Sequence, residues 1–354
     1  MSQWADILGE PIDRLLRQRC DDARVHEPGG TAWATDLWNE LERIGATLAL
    51  VSEELGGAGV PFVETASIMR AAGYHAAPLP IVESMLAHGV LSQLGHRTEG
   101  GPLALAMAPA GSALHAQVSG SRLRLGGHAA AVPWARHLDA VLAIASAEGR
   151  GQTAITVPLQ KLAIRPGVNA AGEPRDALSF DGVEVDASTL TWADADLASL
   201  WWRRSALARC QQMAGAMQWI RDRTLAYAME RRQFGRAIGE FQSVQHLMAR
   251  LYAHVSAATM AADIGLGVST GVPLHDDVAS AKSVVGEAAG AVAAIAHQLH
   301  GAMGYSWEYP LHHRTRRLWA WRDEFGNERE WQIALGRRAA ARGAIALWEN
   351  LTLP

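Results

Sequence analysis

The stretch from Leu197 to Arg232 constrains the fold more than any other part of the sequence. It holds 36 residues, with Gly215 as its single glycine and no proline. Because an α-helix rises 1.5 Å per residue, the stretch predicts a helix about 54 Å long. A helix of that length must bury its apolar sides against other helices. The sequence therefore predicts a helical bundle around this segment.

Further long helices follow in the same region. We expect them at Gln242–Leu266, from Asp276 or Asp277 to about Met303, at Tyr309–Trp319 and at Asn327–Leu351. Helices of this length, packed antiparallel, form a four-helix bundle. Residues 191–354 are accordingly predicted to be a C-terminal helical bundle.

The two preceding regions differ from each other in pattern. Residues 1–100 contain helical segments separated by glycine and proline clusters, and are predicted to form an N-terminal helical domain. The expected helices are Glu10–Ala23, Trp33–Ile44, Phe62–Gly73 and Pro80–Leu94. Residues 101–190 contain short apolar runs bounded by turn residues, which predicts a small antiparallel β domain. The expected fold class is α+β, mainly α.

Composition excludes several classes of protein. The net charge is −4, from 32 basic and 36 acidic residues, and no basic stripe indicates a nucleic-acid partner. No apolar run has secretory character or the length of a membrane span, so a cytoplasmic protein with no membrane partner is expected. Cys20 and Cys210 lie far apart in sequence, and the histidines have no ligand spacing. Neither a disulfide nor a metal site is predicted.

The motif RRQFGRAIGEFQ, from Arg231 to Gln242, follows the long helix. Arginine can bind phosphate through its fixed fork of donors, and Gly235 and Gly239 allow a sharp turn or a close approach of a ligand. From the residues alone, however, a structural interpretation is favoured. The arginines can satisfy the carbonyl groups that end a helix, with the glycines making the turn.

The spacing of this motif resembles the hallmark of acyl-CoA dehydrogenases, a family of flavin-dependent enzymes. The resemblance implies that Arg231 and Phe234 contact the FAD of a neighbouring subunit, with Gln242 close by. The segment HQLHGAMGYSWEYPL, which begins at His297, resembles a second part of the same family. It implies that Gln298 and the backbone of Gly301 hold the FAD pyrophosphate across the subunit interface.

The resemblance also implies an activity and partners. The reaction would be α,β-dehydrogenation of an acyl-CoA thioester by an oxidoreductase of lipid metabolism. The assembly would be a homo- or hetero-tetramer with another acyl-CoA dehydrogenase chain, α2β2 in the heteromeric case. Electron-transfer flavoprotein, or a similar protein, would accept the electrons.

The sequence departs from the family at the catalytic base. The family's glutamate occupies one of two positions, which by ungapped counting fall here on Ser205 and Phe325. Glu324, one residue earlier, is the candidate base if the alignment shifts by one, and Asp323 and Glu308 are further candidates. Alternatively, the chain is the subunit without a base in a heteromeric enzyme of the steroid type. A structural partner without enzymatic activity, and an oxidase or monooxygenase on the same fold, also stay open.

Two segments of the middle region resemble the family's flavin-facing strands incompletely. MAPAGSA, which starts at Met107, lacks the family's two acidic residues, and HAAAVPWARHLD, which starts at His128, offers Trp134 as its single aromatic residue. We therefore expect the chain's own flavin and substrate pocket to be weak. The tryptophans of the helical region are expected to pack helices or to bury a subunit interface.

Overall fold

The computed structural model describes residues 3–20, 34–188, 190–194, 196–267 and 275–352. Within these ranges the chain passes from helices to strands and back to helices, which confirms the predicted mainly helical α+β fold class. Parts of the expected helices Glu10–Ala23 and Trp33–Ile44, and the connection before the third bundle helix, lie outside the described residues.

In residues 3–20 and 34–93, which the structure describes, four α-helices precede the strands. A π-helical turn, Ala5–Gly9, leads into the first, and a 3-10 turn, Phe62–Thr65, leads into the third. The helices are α1 (Glu10–Arg19), α2 (Thr35–Ile44), α3 (Ala66–Tyr74) and α4 (Ile81–Gln93). Every residue of α4 from Ile81 to Val90 is buried, so this helix has no solvent face over its first ten residues and lies within the core.

Nine strands lie within the described residues from 105 to 186. They are β1 (Leu105–Ala106), β2 (Leu114–Ser119), β3 (Arg122–Gly126), β4 (His128–Pro133), β5 (Ala140–Ala147), β6 (Gly151–Pro158), β7 (Ala163–Arg165), β8 (Arg175–Ser179) and β9 (Glu184–Asp186). One sheet has the order β1-β5-β2-β3-β9 with β6 on β5, and a second has the order β4-β8-β7. Most pairs are antiparallel as expected, but β1 and β2 both pair in parallel with β5. Short apolar runs carry no information on strand direction, so the sequence could not predict these pairs.

The long helix is present as α5 (Leu197–Glu230), with the Asp196 side chain accepting a hydrogen bond from the Ser199 amide, 3.1 Å away, at its start. It ends two residues before the expected point. There a hairpin begins, formed by the two-residue strands β10 (Arg232–Gln233) and β11 (Arg236–Ala237). The remaining helices are α6 (Gln242–Gly267), α7 (His275–His300), α8 (Leu311–Asp323) and α9 (Glu328–Thr352).

Gly215 has a packing role in the middle of α5. A Cβ atom at this position would lie 2.0 Å from the carbonyl oxygen of Arg70 on α3. At Gly73 of α3, a Cβ atom would lie 1.9 Å from the carbonyl oxygen of Gln212. The two helices therefore cross with their backbones in contact, which fixes the N-terminal helices against the bundle.

Helix α7 is long and apolar. The segment His275–Tyr305 has the length and composition of a membrane span, with a mean hydropathy of 1.3 over its most apolar window. However, 67% of that window is buried inside the protein. This burial is typical of a central helix in a bundle.

Candidate functional site

An open cleft of about 960 Å³ lies between the strands and the C-terminal helices. Both segments that resemble the family's flavin-facing strands reach it, through residues 107–110 and through Ala130, Ala131 and Pro133. The opposite side is formed by the end of α8 and the start of α9. The structure thus brings these two segments together on one cleft.

The walls of the cleft offer flat rings. Trp202, Trp319 and Trp331 line it from three different helices, together with Phe325. We expected these tryptophans to pack helices or to bury an interface. Trp331 does pack into the core, but all three also face the cleft. No local pattern in the sequence could have indicated this, because the rings come together only through the fold.

Glu324, the candidate base, lies at the inner end of this cleft between two guanidinium groups. Its Oε1 accepts a hydrogen bond from Arg175 Nε and its Oε2 accepts one from Arg209 Nε, each at 2.7 Å. Burial raises the pKa of Glu324, but the charges of Arg175 and Arg209 outweigh it and hold the pKa below its ordinary value. A carboxylate with both oxygens engaged and a lowered pKa is a weak proton acceptor. Its role as the base stays a prediction.

The Glu324 pairs belong to a longer chain of alternating charges. The order is Glu83, Arg209, Glu324, Arg175, Glu173 and Arg317, with successive N···O distances of 2.7, 2.7, 2.7, 3.0 and 3.1 Å. Trp321 Nε1 also donates to Glu173, at 3.0 Å. Burial raises the pKa of Glu173, but the three arginines lower it more, to about 2. Three carboxylates and three guanidinium groups thus neutralise one another inside the protein.

A small inner cavity of about 20 Å³ lies behind the cleft, between α4 and α5. Ser205 and Phe325, the two positions on which the family's base would fall, both line it. Ser205 and Phe325 are 120 positions apart in sequence, so their meeting at one cavity agrees with the ungapped alignment of both base positions. Neither side chain is a carboxylate. Glu83 and Arg209, already paired with each other, form its polar wall. A cavity of this size holds about one water molecule.

The other candidate bases lie elsewhere. Asp323 lines the outer cleft. Glu308 is outside both cavities, where it accepts a hydrogen bond from Ser306 Oγ at 2.5 Å. Across the described ranges, no group of three or more histidine, cysteine, aspartate or glutamate side chains could hold a metal ion.

The five residues expected to contact FAD form a separate, exposed set. Arg231 ends α5, Gln242 begins α6, and Phe234 between them is 92% exposed. Gln298 and Gly301 are exposed at the end of α7. Tyr227 Oη donates to the carbonyl oxygen of His300, 3.3 Å away, and holds the ends of α5 and α7 together. None of the five lines the large cleft.

The exposed set fits a dinucleotide with a pyrophosphate. Arg231 supplies an exposed guanidinium, and Gly301, with φ +60°, has no other atom within 4 Å of the place where a Cβ would lie. Phe234, three residues after Arg231, is 92% exposed, and its ring contacts that of Phe241 edge to face. The cleft has the room and the aromatic walls for a flat ring. Residues 107–110, Ala130, Ala131 and Pro133 bring no side-chain hydrogen-bonding group to it, whereas Asn169 and Arg175 do.

The known proteins to which this chain is similar include acyl-CoA dehydrogenases. Residues 199–328 match the acyl-CoA dehydrogenase, C-terminal domain family. The acyl-CoA dehydrogenase IpdE2 of Mycolicibacterium smegmatis is 26% identical over 314 residues, covering 88% of this chain and 91% of that protein. The acyl-CoA dehydrogenase FadE27 of Mycobacterium tuberculosis is 27% identical over 342 residues, covering 88% and 90%.

The fold is shared with two structures of paired chains. The ChsE4-ChsE5 complex from Mycobacterium tuberculosis matches with a TM-score of 0.88 and 23% identity, over 97% of this chain and 99% of that chain. A structure described as a Tcur3481-Tcur3483 steroid ACAD matches with a TM-score of 0.82 and 21% identity, over 95% and 97%.

Proposed function

We propose, from the premise that the chain belongs to the acyl-CoA dehydrogenase family, that it is the subunit without a catalytic base in a heteromeric enzyme. Enzymes of this family are FAD-dependent oxidoreductases. One observation carries the proposal: both positions for the base meet at a small cavity and hold Ser205 and Phe325, while the residues for a neighbour's FAD are exposed. The fold it shares with two complexes of paired chains agrees with this assignment.

The reaction divides naturally between two chains. Oxidation of an acyl-CoA removes a proton from Cα and a hydride from Cβ. The proton must pass to a positioned carboxylate, which the partner chain would supply. FAD, when bound, supplies the acceptor for the hydride. This chain would complete the FAD site of the partner chain with residues from its own surface.

The exposed set would hold the cofactor in the following way. The Arg231 guanidinium would neutralise the pyrophosphate, and the open backbone at Gly301 would let it approach closely. Phe234 would cover an apolar face, with Gln242 and Gln298 as polar neighbours. The assembly would be an α2β2 tetramer in the cytoplasm, with electron-transfer flavoprotein or a similar protein as acceptor. Its substrate would be a bulky acyl-CoA of the steroid-derived type, as the fold shared with a steroid enzyme favours.

Co-expression tests the proposal directly. The chain alone should be colourless and inactive with acyl-CoA substrates. Together with the acyl-CoA dehydrogenase chain encoded beside it, it should purify as a yellow complex that bleaches when substrate is added. Full flavin content and full turnover by the chain alone would contradict the proposal and support a self-sufficient homotetramer.

A further inference from the structure

Phe325 is the wall between the two cavities. It lines the outer cleft of about 960 Å³ and the inner cavity of about 20 Å³, and Pro133 is the other residue that lines both. Residues of α4 and α5 form most of the remaining lining of the inner cavity. Removing the ring of Phe325 would therefore join the two volumes.

The backbone of Phe325 has an unfavourable conformation. Its φ is +57°, in the left-handed region, where an aromatic side chain is a genuine outlier. Strain of this kind persists only where surrounding contacts hold it. Lys282, which is fully buried, donates from Nζ to the carbonyl oxygens of Arg322 at 3.1 Å and Glu324 at 2.8 Å. Trp331 Nε1 donates to the carbonyl oxygen of Phe325 at 3.0 Å.

The ring itself is held from two sides. Trp202 packs against it edge to face, with ring centroids 5.2 Å apart. The guanidinium of Arg209 lies 5.8 Å from the ring centroid. Arg209 is in turn fixed by Glu83 and by Glu324, the residue immediately before Phe325. Through Arg209, these ion pairs fix the position of the Phe325 ring relative to α4 and α5, which line the inner cavity.

We propose that Phe325 is a plug that excludes acyl groups from the inner cavity of this chain, and that Lys282 and Trp331 are the positioning residues that hold it in place. The proposal rests on the proposed function in one respect, because acyl-CoA is taken as the class of ligand excluded. It goes further in assigning the exclusion to one side chain and its supports. In the paired assembly, acyl-CoA would then bind to one site for every two chains.

Calorimetric titration with octanoyl-CoA tests the plug on the full chain and on the paired assembly. Phe325→Ala should bind octanoyl-CoA at least tenfold more tightly than the wild-type chain. In the assembly, the same substitution should raise the stoichiometry from one to two octanoyl-CoA per pair of chains. Equal affinity and stoichiometry in the wild type and in Phe325→Ala would overturn the proposal.

Leu86→Ala is the matched control, because Leu86 lines the inner cavity but not the cleft. It enlarges the cavity and leaves the plug in place, so no gain of octanoyl-CoA binding is expected. A gain as large as that of Phe325→Ala would show that volume alone matters and would refute the plug. If Phe325→Ala does not fold, Phe325→Leu replaces it, because leucine removes the ring with a smaller loss of volume. The same increase in octanoyl-CoA binding is expected, and its absence would overturn the proposal.

Lys282→Met tests the supports through the same binding measurement. It removes both hydrogen bonds to the backbone around Glu324. Octanoyl-CoA binding should increase, whereas Leu86→Ala at a comparable loss of thermal stability should show no increase. No gain in Lys282→Met would remove it as a positioning residue. These titrations on the chain alone require no partner, so failure of the plug and failure of the paired enzyme give separate results.

Discussion

The substitution Glu324→Gln tests whether the Glu324 carboxylate has a structural or a catalytic role. The wild-type side chain accepts hydrogen bonds from two buried guanidinium groups at 2.7 Å each. Removing one partner of a buried ion pair typically costs about 3–5 kcal/mol. Glutamine keeps one oxygen acceptor, and the Glu324 side chain is 15% exposed, so we expect the lower end, about 3 kcal/mol of unfolding free energy. Turnover of the paired assembly, measured under conditions where the variant is folded, should be unchanged.

The assay has two readouts. Urea unfolding of the full chain gives the change in free energy, and substrate bleaching of the paired assembly gives turnover. If Glu324 were the base, turnover would fall by about 10²–10⁴-fold. Asp323→Asn, at the neighbouring position on the same cleft, is the control and should leave stability nearly unchanged. A large loss of turnover with little loss of stability would refute the structural role assigned to Glu324.

Three further outcomes follow from the structure. Arg231→Ala should lower the flavin content of the paired assembly at least tenfold on dialysis, whereas Arg165→Ala, at an exposed arginine on β7, should retain it; equal retention would contradict a pyrophosphate contact. The pKa of Glu173 is lowered from 4.5 to about 2. Its ionised side chain therefore stabilises the fold fully above pH 4.5, and this effect is lost as the pH falls toward 2. The stability of Glu173→Gln, measured by circular dichroism during acid unfolding, should depend less on pH over this window. Gly215→Ala should destabilise the chain by several kcal/mol because its Cβ would overlap the Arg70 carbonyl, whereas Gly336→Ala in α9, with open space around it, should be neutral or stabilising in thermal unfolding.

The bundle could be predicted because its signals are local. The stretch that became α5 lacks breakers, and the motif from Arg231 to Gln242 is contiguous, so spacing alone located both. The charge chain could not be predicted in this way. Glu83, Arg209 and Glu324 are each more than 100 residues apart and meet only through tertiary packing. A charged residue ordinarily indicates a solvent-facing position, so the sequence pattern favoured the wrong environment for these three side chains.

The backbone conformation of Phe325 could not be predicted from the sequence either. A phenylalanine followed by Gly326 reads as an ordinary helix end, with glycine as the residue that takes the left-handed conformation. In the structure both residues have positive φ, +57° and +88°. The strained backbone at Phe325 is imposed by Lys282 and Trp331, which lie 43 positions before it and 6 after it. Counting residues predicted which position corresponds to the family's base but gave no information on the side chain's environment.

The six charged residues from Glu83 to Arg317 are better explained by the orientation they impose on their neighbours than by a contribution to the free energy of unfolding. Apolar side chains of similar volume could fill the same space without desolvating six charges, and such replacements are often neutral or stabilising. Ion pairs differ because they are directional: each oxygen of Glu324 must face one guanidinium, which fixes the backbone next to it. Since Phe325 follows directly, the same contacts fix its ring against Trp202. In the proposed subunit role this arrangement has an advantage, because Phe325 separates the inner cavity from the cleft while the shared fold is kept.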